Sequence, residues 1–211
     1  MSTQPAEKSD KRANIAGGTA SVGVRVASRL NTVWLKATSR FHFIGKRVSI
    51  HPLSWIGAHA ARSIWIGNDV GIGPHVHLEV EMDREGSAAP IVVIEDGCLL
   101  SCRVEIRAGS LVHLEKGVTV MQDAMISNRE GEHENIHEGD IRIGQESWIG
   151  PGSAIVSSAG AVTLGRHCVV TANAVVTKSA PPYSVLSGNP ATVIRRYDPE
   201  KKIWVRGSLL A

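Results

Sequence analysis

Aliphatic residues recur every six positions through most of this chain. Ile44, Ile50 and Ile56 open the series, followed by Ile66, Ile72 and Leu78; Ile94, Leu100 and Ile106; Leu114, Val120 and Ile126; Ile143, Ile149 and Ile155; and Leu164, Val170 and Val176. Four residues after nearly every anchor sits a small side chain, such as Val48, Ser54, Val70, Cys98, Ser147, Cys168 or Ala174; Met82 and Glu130 break the rule, both where the chain leaves its repeat. A period this strict predicts stacked coils. The small residue and the next anchor are two apart, so on a strand they share one face. In Ser54-Trp55-Ile56 the serine and isoleucine therefore face inward and the tryptophan outward. Three short strands per eighteen-residue coil make a triangular prism. Glycines 45, 57, 67, 73, 144, 150 and 165 follow the anchors and mark corners where a side chain would cost. Parallel strands about 4.8 Å apart give six coils a column of about 29 Å. A 3.6-residue helix cannot carry this period with glycine punctuation. The expected fold class is all-β, a parallel β-helix of about six coils.

The steps between triplets carry further information. They are 10, 16, 8, 17 and 9 residues instead of six, so every insertion leaves the prism after a third strand, at one corner. The two long excursions, about 79–93 and 127–142, are expected side by side along one edge, which makes that edge the candidate active site. The expected organisation is a polar tail and basic amphipathic segment (1–40), the β-helix (41–182) and a C-terminal cap (183–211). Val22, Val26, Leu30, Val33 and Trp34, with Arg25, Arg29, Lys36 and Arg40 between them, suit a short amphipathic helix. Such a helix either caps the open end of the prism or touches an anionic membrane through 21–40. The far end exposes a strand edge, which Tyr183 to Trp204 can cover.

Composition narrows the function classes. Aromatics are 4% of the chain, as a narrow prism requires, and a net charge of +3 gives no argument for nucleic acid. Met1 to Arg12 is polar, unlike a signal peptide, and no stretch reaches the eighteen apolar residues of a membrane span. Cys98 and Cys168 occupy inward small positions and Cys102 lies just past an anchor, so reduced thiols and a cytoplasmic location are expected.

The C-terminal stretch Val176-Thr177-Lys178-Ser179-Ala180-Pro181-Pro182-Tyr183-Ser184-Val185, with Gly188-Asn189-Pro190-Ala191-Thr192-Val193-Ile194-Arg195-Arg196, resembles the ending of the sugar O-acetyltransferases among the hexapeptide-repeat acyltransferases. With the repeat itself, the resemblance covers about residues 41 to 205, roughly three quarters of the chain. It implies a left-handed helix, an exception to the general preference for right-handed crossovers. It also implies a homotrimer with acetyl-CoA between adjacent prisms, and acetyl transfer to a sugar hydroxyl in surface-polysaccharide synthesis. Ala172 then lets the pantetheine approach, Thr177 and Lys178 lie along its path, and Arg195 matches a basic residue near the nucleotide phosphates. A second basic position of many relatives is Thr192 here. A backbone N–H near Gly150 or beside Pro151 is the candidate oxyanion donor.

Many relatives carry Ile-Ser-Asp-His-x-His at the start of the long loop; here the segment begins Ile126-Ser127-Asn128-Arg129-Glu130-Gly131, so Arg129 and Gly131 replace both histidines. A guanidinium titrating above about 12 offers no lone pair to a hydroxyl proton. His133 and His137 lie further along the same loop and are the candidate bases, with Glu132 or Glu134 to orient them. A histidine with its ordinary pKa near about 6.5 keeps a neutral fraction at working pH. No covalent acyl-enzyme is expected, and Cys102 lacks a visible activating partner. His75, His77, His113 and His167 read as surface residues without a metal. Two other readings stay open: a silent homologue that binds CoA or a partner, and amide formation on an amino sugar.

Overall fold

The computed structural model describes residues 22–38, 41–57, 60–80, 89–129, 139–157 and 160–206. Eighteen short strands wind as six three-sided coils. The first face stacks β1 (Phe43–Ile44), β4 (Ile64–Ile66), β7 (Val92–Ile94), β10 (Val112–Leu114), β13 (Ile141–Ile143) and β16 (Val162–Leu164). The second stacks β2 (Ser49–Ile50), β5 (Gly71–Ile72), β8 (Leu99–Leu100), β11 (Thr119–Val120), β14 (Trp148–Ile149) and β17 (Val169–Val170). The third stacks β3 (Trp55–Ile56), β6 (His77–Val80), β9 (Glu105–Ala108), β12 (Met125–Ser127), β15 (Ala154–Val156) and β18 (Val175–Val176). All these pairings are parallel, and anchor meets anchor: Ile44 with Ile66, Leu100 with Val120, Ile126 with Ile155.

That register stacks the aliphatics into internal ladders. Every anchor is buried except Ile44 and Ile56, which belong to the first coil and have no coil beneath them. Ile64, Val92, Val112, Ile141 and Val162, two residues before the first anchor of their coils, are buried as well and fill the first face. Cys98 and Cys168 are buried free thiols, whereas Cys102 is half-exposed. Burial pushes the Cys98 thiol up to about 12, because thiolate is disfavoured where water is excluded. The unfolded chain therefore loses this proton first, and the stability tied to Cys98 is intact below pH 9.0 and falls as pH rises from there towards about 12. At pH 8 iodoacetamide is expected to label Cys102 alone in the folded protein and all three thiols in denaturant, as mass spectrometry of the intact chain would show.

The corners correct one expectation about glycine. The left-handed backbone that turns the first two corners of a coil falls three residues after the anchor: Arg47, Asp69, His75, Arg103, Asp123, Glu146, His167 and Asn173 have φ between 54° and 60°, with Gly97, Gly117 and Gly152 in equivalent places. The glycine directly after an anchor serves coil-to-coil approach instead. A Cβ on Gly45 would lie 2.5 Å from the Gly67 carbonyl oxygen, and one on Gly144 would lie 2.5 Å from the Arg166 amide nitrogen. Backbone atoms at that distance cannot yield as a flexible side-chain tip can.

The open end is closed by helix α1 (Val22–Thr38), but with the face opposite to the one the apolar pattern suggests. Ser28 and Thr32 are buried, while Val22, Val26, Leu30, Val33 and Trp34 are 50–78% exposed. Hydrogen bonding decides this. The Ile50 N–H and C=O of β2 have no coil below to pair with, and an unpaired buried backbone group is costly. Thr32 Oγ1 accepts from Ile50 N at 2.9 Å and Asn31 Nδ2 donates to Ile50 O at 3.2 Å. Lys36 Nζ donates to the Gly45 carbonyl. Aliphatic side chains could do none of this. At the far end β19 (Ser184–Gly188) continues the second face parallel to β17. β20 (Ala191–Asp198) and β21 (Ile203–Arg206) then add antiparallel, after a turn containing a cis Asn189–Pro190 peptide.

Candidate active site

Both long connections leave from the third face at the corner leading to the first. One runs from β6 to β7 and the other from β12 to β13. Only β9 separates β6 from β12 in the sheet, so their exits lie about 10 Å apart on one ridge. Residues one past the third anchor line up along it: Glu79 pairs with Arg107, Arg107 with Ser127, and Ser127 with Val156. Thr177 holds the same offset in the last coil.

Charge concentrates on this row. The Glu79 carboxylate lies 3.4 Å from Arg129 Nη1, 3.9 Å from Arg107 Nε and 3.9 Å from His77 Nε2. Arg107 also grips Glu105 at 2.7 Å. Arg129, at the position where the resembling family places its histidine, is thus tied across the ridge to the strand from which the other excursion departs. Its neighbour Asn128 fixes the path of the chain. The Asn128 side chain is buried, accepts from Gly109 N at 3.0 Å and Ser110 N at 3.4 Å, and donates to Ser110 Oγ at 2.7 Å and Leu111 O at 3.3 Å. Asn128→Ala is expected to destabilise the protein by roughly 1–3 kcal/mol, because the two amides lose their acceptor; urea unfolding monitored by circular dichroism measures it.

The residues singled out for the acyl donor fall on three places. Pro151 and Ala172 occupy the corner between the second and third faces, one coil apart, where Asn173 N donates to Pro151 O at 3.0 Å. Thr177 and Lys178 are exposed at the opposite end of the third face, on the ridge itself. Arg195 is exposed on β20, opposite Val185 and Arg206. The structure therefore sets Thr177 and Lys178 on the ridge two strands from the exit at Ser127, leaves Pro151 and Ala172 at the other end of the third-face strands, and places Arg195 on another face. His133 and His137, with Glu132 and Glu134, lie outside the described residues. The oxyanion expectation is corrected: Gly150 N already donates to Val170 O at 2.9 Å and Gly152 N to Gln122 O at 3.0 Å, and Pro151 has no N–H. Coil stacking consumes these amides.

The charged row of Glu79 and Arg107, with Glu105 and Arg129 paired to it, escaped sequence reasoning. Its signal was present in the offset from the third anchor, which stacks Glu79, Arg107 and Thr177 once the register is extended to outward positions. A second feature is the aromatic run beside the terminal strands. His167 stacks on Tyr183 at 5.1 Å, Tyr183 meets Tyr197 at 6.3 Å, Tyr197 meets Trp204 at 5.2 Å, and the Arg166 guanidinium lies 5.5 Å over the Tyr183 ring. His113 bonds Glu95 at 2.8 Å and His77 stacks on Trp55 at 4.1 Å, so each has a structural partner. Trp55, Trp65 and Trp148 face outward from three different sheets.

Solved structures superpose on this architecture. AntD, an N-acyltransferase from Bacillus cereus in complex with dTDP and 3-hydroxybutyryl-CoA, matches with a TM-score of 0.66 and 18% identity over 81% of this chain and 90% of its own. The acetyltransferase domain of PglB from Neisseria gonorrhoeae, in complex with acetyl coenzyme A, matches with a TM-score of 0.53 and 20% identity over 88% and 76%. PerB from Caulobacter crescentus, in complex with CoA and GDP-perosamine, gives 0.53 and 17% over 79% and 66%. The fold is a left-handed parallel β-helix, shared with these solved structures. Sequence relatives match this hexapeptide β-helix chain over a shorter stretch. A Staphylococcus aureus protein provisionally named an acetyltransferase is 42% identical over 62 residues, 29% of this chain and 30% of its own length. The chloramphenicol acetyltransferase of Agrobacterium fabrum is 40% identical over 58 residues, 28% and 26%. The matched stretch thus spans less than a third of either relative. No protein-family model matches the chain.

Proposed function

We propose that this protein transfers an acetyl group from acetyl-CoA to a sugar hydroxyl, in the synthesis of a surface polysaccharide, as a cytoplasmic homotrimer with acetyl-CoA held between adjacent prisms. The observation that carries the reading is the ridge: two long excursions leave one corner of a hexapeptide β-helix, beside exposed Thr177 and Lys178. Support comes from the likeness to proteins solved with CoA, CoA thioesters or a nucleotide sugar, and from the local 42% identity to a protein provisionally named an acetyltransferase.

The chemistry needs a base, a binding track and a place for phosphates. His133, or His137 after it, takes the proton from the acceptor hydroxyl as the oxygen attacks the thioester carbonyl. The tetrahedral intermediate collapses, the carbon–sulfur bond breaks, and the CoA thiolate leaves with that proton. Arg195 supplies a cation for the nucleotide phosphates, Thr177 and Lys178 lie along the path of the pantetheine, and Ala172 leaves the backbone approachable for it. Contact of segment 21–40 with an anionic membrane surface is compatible with this reading and independent of it.

Thiol release from acetyl-CoA, measured with the full chain against nucleotide sugars bearing free hydroxyls or a free amine, tests the reading. Acceptor-dependent release with one acetyl group added to the sugar is the expected result. Modification on nitrogen instead of oxygen would move the acceptor class to amino sugars, a reading favoured by the N-acyltransferase among the structural matches. No release with any acceptor would favour a silent CoA-binding homologue, for which the Glu79-bound Arg129 is the motivating observation.

A further inference from the structure

We infer that the outer face of α1 is a docking surface for an anionic phospholipid bilayer, so that the prism stands on the membrane by its open end. The helix buries its polar side to close β2 and leaves its apolar side exposed among the described residues. Val22, Val26, Leu30 and Val33 follow one another at helical spacing and are exposed by 78%, 50%, 65% and 65%; Trp34 beside them is 61% exposed. At about 100° per residue, Arg25, Arg29 and Lys36 fall together on one flank between the buried and the apolar sides. Leu53, in the turn of the first coil, is 58% exposed.

The direction of this face follows from the hydrogen bonds beneath it. Ladder bonds in a β-helix run along the column, and α1 takes the bonds that a further coil would make to Ile50. The side of α1 opposite Asn31 and Thr32 therefore points away from the prism at its end. No helix among the described residues is long and apolar enough to cross a membrane, so the face can lie on a bilayer and not span it.

Charge selects the occupant. Residues 11–68 hold nine Lys and Arg and no Asp or Glu; of the 23 cations and 20 acids of the whole chain, this leaves 14 against 20 elsewhere. A protein of net charge +3 is thus split into a +9 end and a −6 remainder. Apolar side chains flanked by cations and free of carboxylates suit anionic headgroups over acyl chains. A second copy meeting this end with its own would set cations against cations.

The test is co-sedimentation of the full chain with phosphatidylcholine vesicles, with and without about 30% phosphatidylglycerol. The parent is compared with a Leu30→Gln/Trp34→Gln variant and with an Arg25→Gln/Arg29→Gln variant, each shown folded by an unchanged melting temperature. The expected result is binding to the anionic vesicles, weakened by high salt, and at least about tenfold weaker in both variants. Failure to bind, equal binding by the variants, or equal binding to neutral vesicles would overturn the inference. A Leu30→Gln/Trp34→Gln variant that loses oligomers in light scattering would also overturn it, assigning the face to contact between copies. Vesicle binding uses neither acyl donor nor acceptor, so its outcome is separate from that of the acetyl-transfer reading.

Discussion

His133→Ala is expected to lower acetyl-CoA turnover by roughly 10²–10⁴-fold, the range for losing a positioned general base, with the melting temperature unchanged. The effect should lie in kcat, since an imidazole that accepts the hydroxyl proton acts as the C–O bond forms and adds little to ground-state binding. His137→Ala made beside it separates the two candidates: the residue that acts as base takes the large loss and the other does not. A base on the 127–142 excursion is expected because the ridge position nearer the strand is occupied by Arg129, which is paired with Glu79 and holds no lone pair for a proton. Stopped thiol-release kinetics on both variants decide it; turnover intact in both would remove the excursion's histidines from the mechanism and move attention to the Glu79–Arg107 row.

The second large effect is on stability. Ile126→Ala is expected to cost about 2–5 kcal/mol, as for other fully buried aliphatic truncations. Ile126 is fully buried, with Ile106 stacked on one side and Ile155 on the other, so the cavity has coils above and below it and cannot collapse. Ile44→Ala is expected to cost distinctly less, because Ile44 has a neighbour, Ile66, on one side only and is half-buried. Urea unfolding of the two variants measures the contrast, and equal losses would contradict the end-to-middle gradient. Stability in a column of stacked coils is carried by nearest neighbours, so a central loss also severs contact between the two halves.

The ridge excursion and the core share a cause, and both were legible in the residues. A parallel coil permits an insertion only where the next coil resumes in register, so the spacing of Leu78 to Ile94 and of Ile126 to Ile143 is enough to locate the corner. Outward positions were less legible. Glu79, Arg107 and Arg129 lie far apart in sequence and obey no hydrophobic rule, and their approach becomes visible only when the register of β6, β9 and β12 is laid out. The oxyanion expectation failed for a related reason. A repeat pattern shows which side chains face inward but not which amides the neighbouring coil has already taken, and Gly150 N proved to be one of those.

The orientation of α1 is the clearest case of the same division. As a cap, α1 would be expected to bury apolar Val26, Leu30 and Val33, yet Ser28, Asn31 and Thr32 face the prism. Two unpaired backbone groups on Ile50 outweighed several aliphatic side chains, because a buried amide without a partner costs more than an exposed leucine does.

From the residues alone came a period of six, hence three faces, a narrow aliphatic interior and one corner for every insertion, since side-chain alternation along a strand and coil register leave no other packing. The tertiary structure alone decided which helix face closes the open end, which amides remain available and which charges meet on the ridge, because those depend on hydrogen-bond partners that lie tens of residues apart along the chain.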